Sequence, residues 1–168
     1  MVCSKYFLKY YDHAHITNKS QAVLGEYYAK AMLKEADTGV KFEPCRPISF
    51  TKTGNAIVIK FTGVEDGLEI DTQSVSGISN YGFAYSDSSG NTITSVVITD
   101  YDEVTITLTG SIGASPVIAY AYHNGAGGAS NQAAGQGDRG NLRGTSKDIS
   151  KSSGDMLHPW CVIFREAI

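Results

Sequence analysis

Asp12 and His15 stand three positions apart in the polar stretch Asp12-His13-Ala14-His15-Ile16-Thr17-Asn18-Lys19-Ser20-Gln21, just ahead of an apolar-patterned run from Ala22 to Leu33. A carboxylate that accepts a hydrogen bond from one imidazole nitrogen fixes the tautomer of the ring. The other nitrogen is then free to take a proton from a hydroxyl nucleophile. At this spacing on a turn the two side chains can meet, and His13 is the adjacent competitor. An exposed acid and imidazole in a polar loop are also what chance assembles, so a plain surface loop stands beside the catalytic reading. A metal is not expected: His13 and His15 have no further ligand placed by the sequence, and Cys3, Cys45 and Cys161 are scattered without ligand spacing. No phosphate-binding fingerprint links a strand to a helix, so no nucleotide or other cofactor is expected either.

The elements around this pair follow from periodicity. Asn18 is a natural N-cap and Gln21 can close a capping box, so a helix is predicted to run to about Ala36 and to stop at Asp37-Thr38-Gly39. Val23, Tyr27 and Ala31, beside Leu24, Tyr28 and Met32, make an apolar stripe that needs cover from the β-part or from another copy of the chain. Glu43-Pro44-Cys45-Arg46-Pro47 reads as a stiff linker, and the pattern beyond it is strand-like. A boundary is therefore placed there, giving residues 1–43 and 44–168. In the second part, Ile48 to Thr53 and Ala56 to Thr62 flank the turn pair Gly54-Asn55, and Val104, Ile106 and Leu108 alternate with threonines. Further strands are expected at Leu68 to Thr72, around Phe83, at Thr92 to Thr99, after Pro116 and at Trp160 to Arg165. The fold class is mainly β: an antiparallel β-sandwich or jelly-roll-like module preceded by one α-helix. The 168 residues carry a net charge of −3, which leaves no basic footprint for nucleic acid or an anionic membrane. No apolar run reaches bilayer length, and Met1-Val2-Cys3-Ser4-Lys5-Tyr6 lacks the core of a signal peptide.

The wording Asp12-x-x-His15-Ile16-Thr17-Asn18-x-Ser20-Gln21-x-x-Leu24-Gly25-Glu26-Tyr27-Tyr28-Ala29 resembles the last block of the SGNH/GDSL hydrolases, in particular the carbohydrate O-acetylesterases of bacteriophage tailspikes. The resemblance implies that Asp12 is the orienting acid and His15 the general base of a Ser-His-Asp triad. It also implies that residues 1–43 are the last piece of an SGNH α/β/α domain. The nucleophile block, Gly-Asp-Ser, would lie far upstream; Gly154-Asp155 continues with Met156 and is not that block. Arg139-Gly140-Asn141-Leu142-Arg143 and the later Trp160 resemble the ending of the same esterases. On this resemblance the chain is expected to be a C-terminal part of a tailspike-like protein, made in the bacterial cytoplasm and placed in the virion tail. It would be trimeric in the parent spike and would lack catalysis on its own.

Two roles for the β-module then compete. As a binding module it would recognise a bacterial surface polysaccharide, because sugar rings stack on aromatics and their hydroxyls suit Arg and Asn. The glycan-binding candidates are Arg139, Asn141, Arg143, Trp160, Tyr120, Tyr122 and His123. Trp160 and the alternating tyrosines can equally be core. As an assembly module it would hold copies together through the glycine-rich segment His123 to His158, which has eight glycines.

Overall fold

The computed structural model describes residues 1–12, 14–122 and 137–168, and within them the chain is mainly β, with antiparallel sheets and a single long helix. Helix α1 spans Asn18–Thr38. Its N-cap is Thr17 rather than Asn18: the Thr17 hydroxyl accepts the Ser20 N–H at 3.2 Å, and Gln21 reaches back to the Ile16 carbonyl instead of closing a capping box. Thr17 and Asn18 are both good caps, and the extended backbone at Thr17 decides between them. Gly39, at a left-handed φ of 68°, ends the helix by donating its N–H to Glu35.

The strands are β1 Arg46–Thr53, β2 Ala56–Thr62, β3 Leu68–Ile70, β4 Phe83–Ser86, β5 Ile93–Asp100, β6 Glu103–Leu108, β7 Val117–Tyr120, β8 Leu142–Gly144 and β9 Phe164–Ala167. They form a four-stranded sheet in the order β1-β2-β6-β5, a pair β3-β8 and a three-stranded sheet β4-β7-β9. Gly54 at φ 61° leads the two-residue turn that sets Thr53 opposite Ala56, so the β1–β2 register follows from the turn. That register sends Ile57, Ile59 and Phe61 inward, and the β2–β6 pairing places Val104 and Ile106 on the same face. The three-stranded sheet answers with Phe83, Ile118, Tyr120 and Phe164, and the Phe50 and Phe164 rings meet across the core at 6.4 Å. The larger two sheets thus face each other as in a sandwich.

Two expectations shift. The run from Trp160 is not one continuous strand: Trp160 forms an isolated antiparallel bridge with Arg143, Cys161 donates its N–H to Leu142, and the named strand begins at Phe164. Leu142–Gly144, expected within a polar loop, is a buried strand. The chain changes from helix to strand across the proline segment, and residues on both sides of it contribute to one core cluster. Tyr6, from the N-terminal segment, lies within it, hydrogen-bonded to the Cys161 carbonyl at 2.7 Å and to the Tyr120 hydroxyl at 3.2 Å.

Helix α1 rests on this body by half of its apolar stripe. Tyr27 and Ala31 are buried, with the Tyr27 hydroxyl donating to the His158 carbonyl at 2.7 Å and its ring against Phe7. Lys30 adds ion pairs to Glu65 and Asp148. The other half faces outward, with Tyr28, Met32 and Leu33 all more than half exposed.

Candidate functional site

The segment ahead of α1 is a short antiparallel turn. Thr17 N–H donates to the Lys9 carbonyl at 2.9 Å, Tyr11 N–H to the His15 carbonyl at 2.7 Å, and Tyr10 bridges Ile16 between them. At the tip, one Asp12 oxygen accepts the backbone N–H groups of Ala14 and His15, both at 2.8 Å. This Asx turn is the local reason for the three-residue spacing. The second Asp12 oxygen lies 2.8 Å from His15 Nδ1, and the first lies 3.0 Å from it. The Ala14 N–H, the His15 ring and the His15 N–H together hold the Asp12 carboxyl well below the usual carboxylate range. An ionised acid on Nδ1 makes that nitrogen the protonated one and leaves Nε2 as the basic lone pair. The pair is exposed, with 78% of the His15 side chain open to solvent, and among the described residues no hydroxyl or thiol is bonded to Nε2. The geometry is that of a hydrogen-bonded carboxylate–imidazole pair exposed to solvent. His13 lies outside the described residues.

Of the seven proposed sugar contacts, four lie inside the protein. Asn141, with 0% exposure, donates from Nδ2 to the carbonyls of Asp71 and Val75 at 3.0 and 2.9 Å and accepts the Ile78 N–H at 3.2 Å. Buried Arg143 donates to Asp71 at 2.8 Å and pairs with Glu69 at 3.0 Å. Tyr120 is fully buried, its hydroxyl accepting the Leu142 N–H at 2.8 Å. Trp160, 5% exposed, stacks on Phe7 with ring centroids 5.5 Å apart. Buried groups already paired within the chain are not free for a ligand, so Asn141, Arg143 and Tyr120 are corrected to structural residues. Arg139 reaches the Ser76 and Gly77 carbonyls at 3.0 and 3.2 Å, and Tyr122 is exposed just beyond β7. His123 falls outside the described residues.

What these buried residues build is the loop after β3. Asp71 accepts the Gln73 and Ser74 N–H groups at 2.9 and 2.8 Å on one oxygen and the Arg143 guanidinium on the other. Burial alone would raise the Asp71 carboxyl, but the Ser74 N–H, the Arg143 guanidinium and the Gln73 N–H outweigh it and bring it down to about 2. Gly140 completes the arrangement, because a side chain there would collide with the Tyr120 ring.

The loop so held forms one wall of a cleft of about 640 Å³. Gln73 and Ser74 line one side, Lys9, Thr17, Lys19 and Ser20 another, and residues 153–158 a third, with Phe7, Tyr27 and Trp160 beneath. His158 accepts the Ser146 N–H on Nδ1 at 3.1 Å, so its neutral ring carries the proton on Nε2. Burial and the nearby Arg143 charge lower its pKa below the ordinary histidine value, which keeps it neutral at pH 7.

Part of a carbohydrate acetylesterase from Xanthomonas citri has the same overall arrangement, with a TM-score of 0.51 and 15% identity. The likeness is one of fold. It covers 90% of this chain and 29% of the acetylesterase, so the chain spans under a third of that protein. An S-layer protein is also similar, with a TM-score of 0.36 and 12% identity over 82% of this chain and 18% of that one, which is too distant to carry an argument. No protein-family model and no curated protein matches the chain.

Proposed function

We propose that this chain is part of a carbohydrate O-acetylesterase of the phage-tailspike kind, in which Asp12 orients His15 and His15 acts as general base. The observation that carries this is the short contact of Asp12 with His15 Nδ1 on a turn that also fixes both backbones. The fold likeness to part of a carbohydrate acetylesterase supports it. In the reaction, Nε2 takes the proton of a serine hydroxyl as its oxygen attacks the acetyl carbonyl. It then returns that proton to the departing sugar oxygen, and the acetyl-enzyme is hydrolysed by water in the same manner. The serine and the oxyanion hole come from outside the described residues, from another segment or another chain. The β-module recognises a bacterial surface polysaccharide and holds the ester in place, in a protein made in the bacterial cytoplasm and carried on the virion tail.

Acetate release by the intact gene product from p-nitrophenyl acetate and from an O-acetylated glycan tests this. His15→Ala should abolish release, whereas His13→Ala should leave it intact. The chain alone should not exceed the background of a free imidazole. Activity that survives His15→Ala overturns the assignment.

One observation favours a second role, assembly of a homotrimer. Tyr28, Met32 and Leu33 form an exposed apolar row along the outer side of α1. Sedimentation of Met32→Lys beside the wild-type chain checks it: a wild-type oligomer that dissociates on substitution supports assembly through this face, and an unchanged species opposes it.

A further inference from the structure

The cleft beside α1 draws its walls from three separate parts of the chain. Its volume of about 640 Å³ falls in the range of about 300–1,000 Å³ typical of sites for small organic ligands. The floor is apolar: Phe7, Leu8, Val23, Tyr27 and Leu157 line it, with the buried Trp160 ring stacked on Phe7. Around it stand an amide from Gln73, hydroxyls from Ser74 and Ser153, a carboxylate from Asp155, the ammonium of Lys19 and the imidazole of His158. An apolar base ringed by mixed donors and acceptors suits a ring with apolar faces and hydroxyls at its edge, which is a pyranose. A polypeptide segment packed there would leave many of these rim groups to be satisfied by chance.

The cleft also adjoins the turn that carries the acid–base pair. Lys9 and Thr17 line it, and they are the base of the turn whose tip carries Asp12 and His15. Two residues of extended chain separate Thr17 from His15, a rise of about 7 Å. That is about one sugar unit beyond the rim. We propose that this cleft binds an oligosaccharide of hexopyranose or pentopyranose units and presents the O-acetyl group of the next unit to His15. The inference rests on the esterase reading, and it replaces the buried Asn141, Arg143 and Tyr120 by Gln73, Ser153, Asp155 and His158 as the sugar-contacting set, over an apolar floor that Trp160 backs.

The test uses the intact gene product and an O-acetylated oligosaccharide prepared from a bacterial capsular polysaccharide. Gln73 is anchored through its backbone N–H, so Gln73→Trp keeps the Asp71 turn while filling the cleft from its rim. The variant should melt as the wild type does and raise KM for the acetylated oligosaccharide at least tenfold, a far larger change than in its rate on p-nitrophenyl acetate. His15→Ala, in contrast, should remove activity on both substrates, so failure of the esterase reading shows as acetate release indifferent to His15. An unchanged KM in Gln73→Trp, or an equal loss on both substrates, overturns the cleft assignment. A polypeptide seated in the cleft would give the unchanged KM. The isolated chain supplies a second readout, because Trp160 is its one tryptophan. Its emission should shift on titration with the same oligosaccharide, and emission unmoved at concentrations that saturate the enzyme overturns the proposal.

Discussion

Asp12 and Asp71 are built alike and used differently. Each accepts on one oxygen the backbone N–H groups of the residues two and three further along, and each offers the other oxygen to a nitrogen cation or its precursor at 2.8 Å. Asp71 is 6% exposed, and its partner Arg143 is permanently charged and equally enclosed. Asp12 sits at the tip of an open turn, and its partner is an exposed imidazole, whose proton can reside on either ring nitrogen. The same local turn therefore holds a buried ion pair where its surroundings are closed and an accessible carboxylate–imidazole pair where they are open. Burial and the nature of the partner decide between them, and neither can be read from the turn itself.

Removing the partner from the closed site should have the largest effect. Arg143→Ala leaves Asp71 buried and unpaired, and urea denaturation should register a loss of about 3–5 kcal/mol. A loss under about 1 kcal/mol would show that water replaces the guanidinium. Asn141→Ala strips the carbonyls of Asp71 and Val75 and the N–H of Ile78 of their buried partner. It should cost about 1–3 kcal/mol, with amide exchange in residues 71–78 rising first.

Acid separates the two aspartates next. The Asp71 carboxyl is depressed in the folded chain, to about 2, against about 3.9 for an unfolded aspartate. Its contribution of about 2 kcal/mol is therefore complete above pH 4 and is lost as the pH falls from there through about 2. In Asp71→Asn the fall in stability across that window should be correspondingly shallower. The smallest change in stability is expected for Asp12→Asn, whose melting curve should coincide with that of the wild type because the turn is open to solvent. Its effect is instead on the His15 tautomer: nitrogen NMR should show the proton on Nδ1 in the wild type and a mixture in the variant. An unaltered tautomer would reduce Asp12 to a turn residue and erase the contrast with Asp71.

Elements governed by neighbours in sequence were legible before the structure. The alternation in Val104, Ile106 and Leu108, the Gly54-Asn55 turn and the helix ending at Gly39 are local effects, and each appears where its residues place it. The Asp12–His15 contact belongs with them, since a single turn makes it. Arg143 and Asn141 were misjudged for a physical reason. Polar residues in a glycine-rich stretch default to the surface, and the acid that draws Arg143 inward is 72 residues away. The cleft left no signal at all, because Lys19, Gln73 and Asp155 meet only once the sheets have packed.

The placement of Tyr6 beside Cys161 has a consequence for the order of folding. The two are 155 residues apart along the chain, and β9, which completes the second sheet, ends at Ala167. The β1–β2 hairpin and α1 can form as soon as they leave the ribosome. The cavity that Tyr6 fills has no far wall until the last strand arrives. Until residues 160–164 are made, then, the aromatic segment around Tyr6 lacks its partners in the β-part, and closure must meet the entropic cost of a very long loop in one late step. A chain stalled before residue 160 would hold a helix and a hairpin beside an open core, with Tyr6 and Phe7 exposed to chaperones rather than to Trp160.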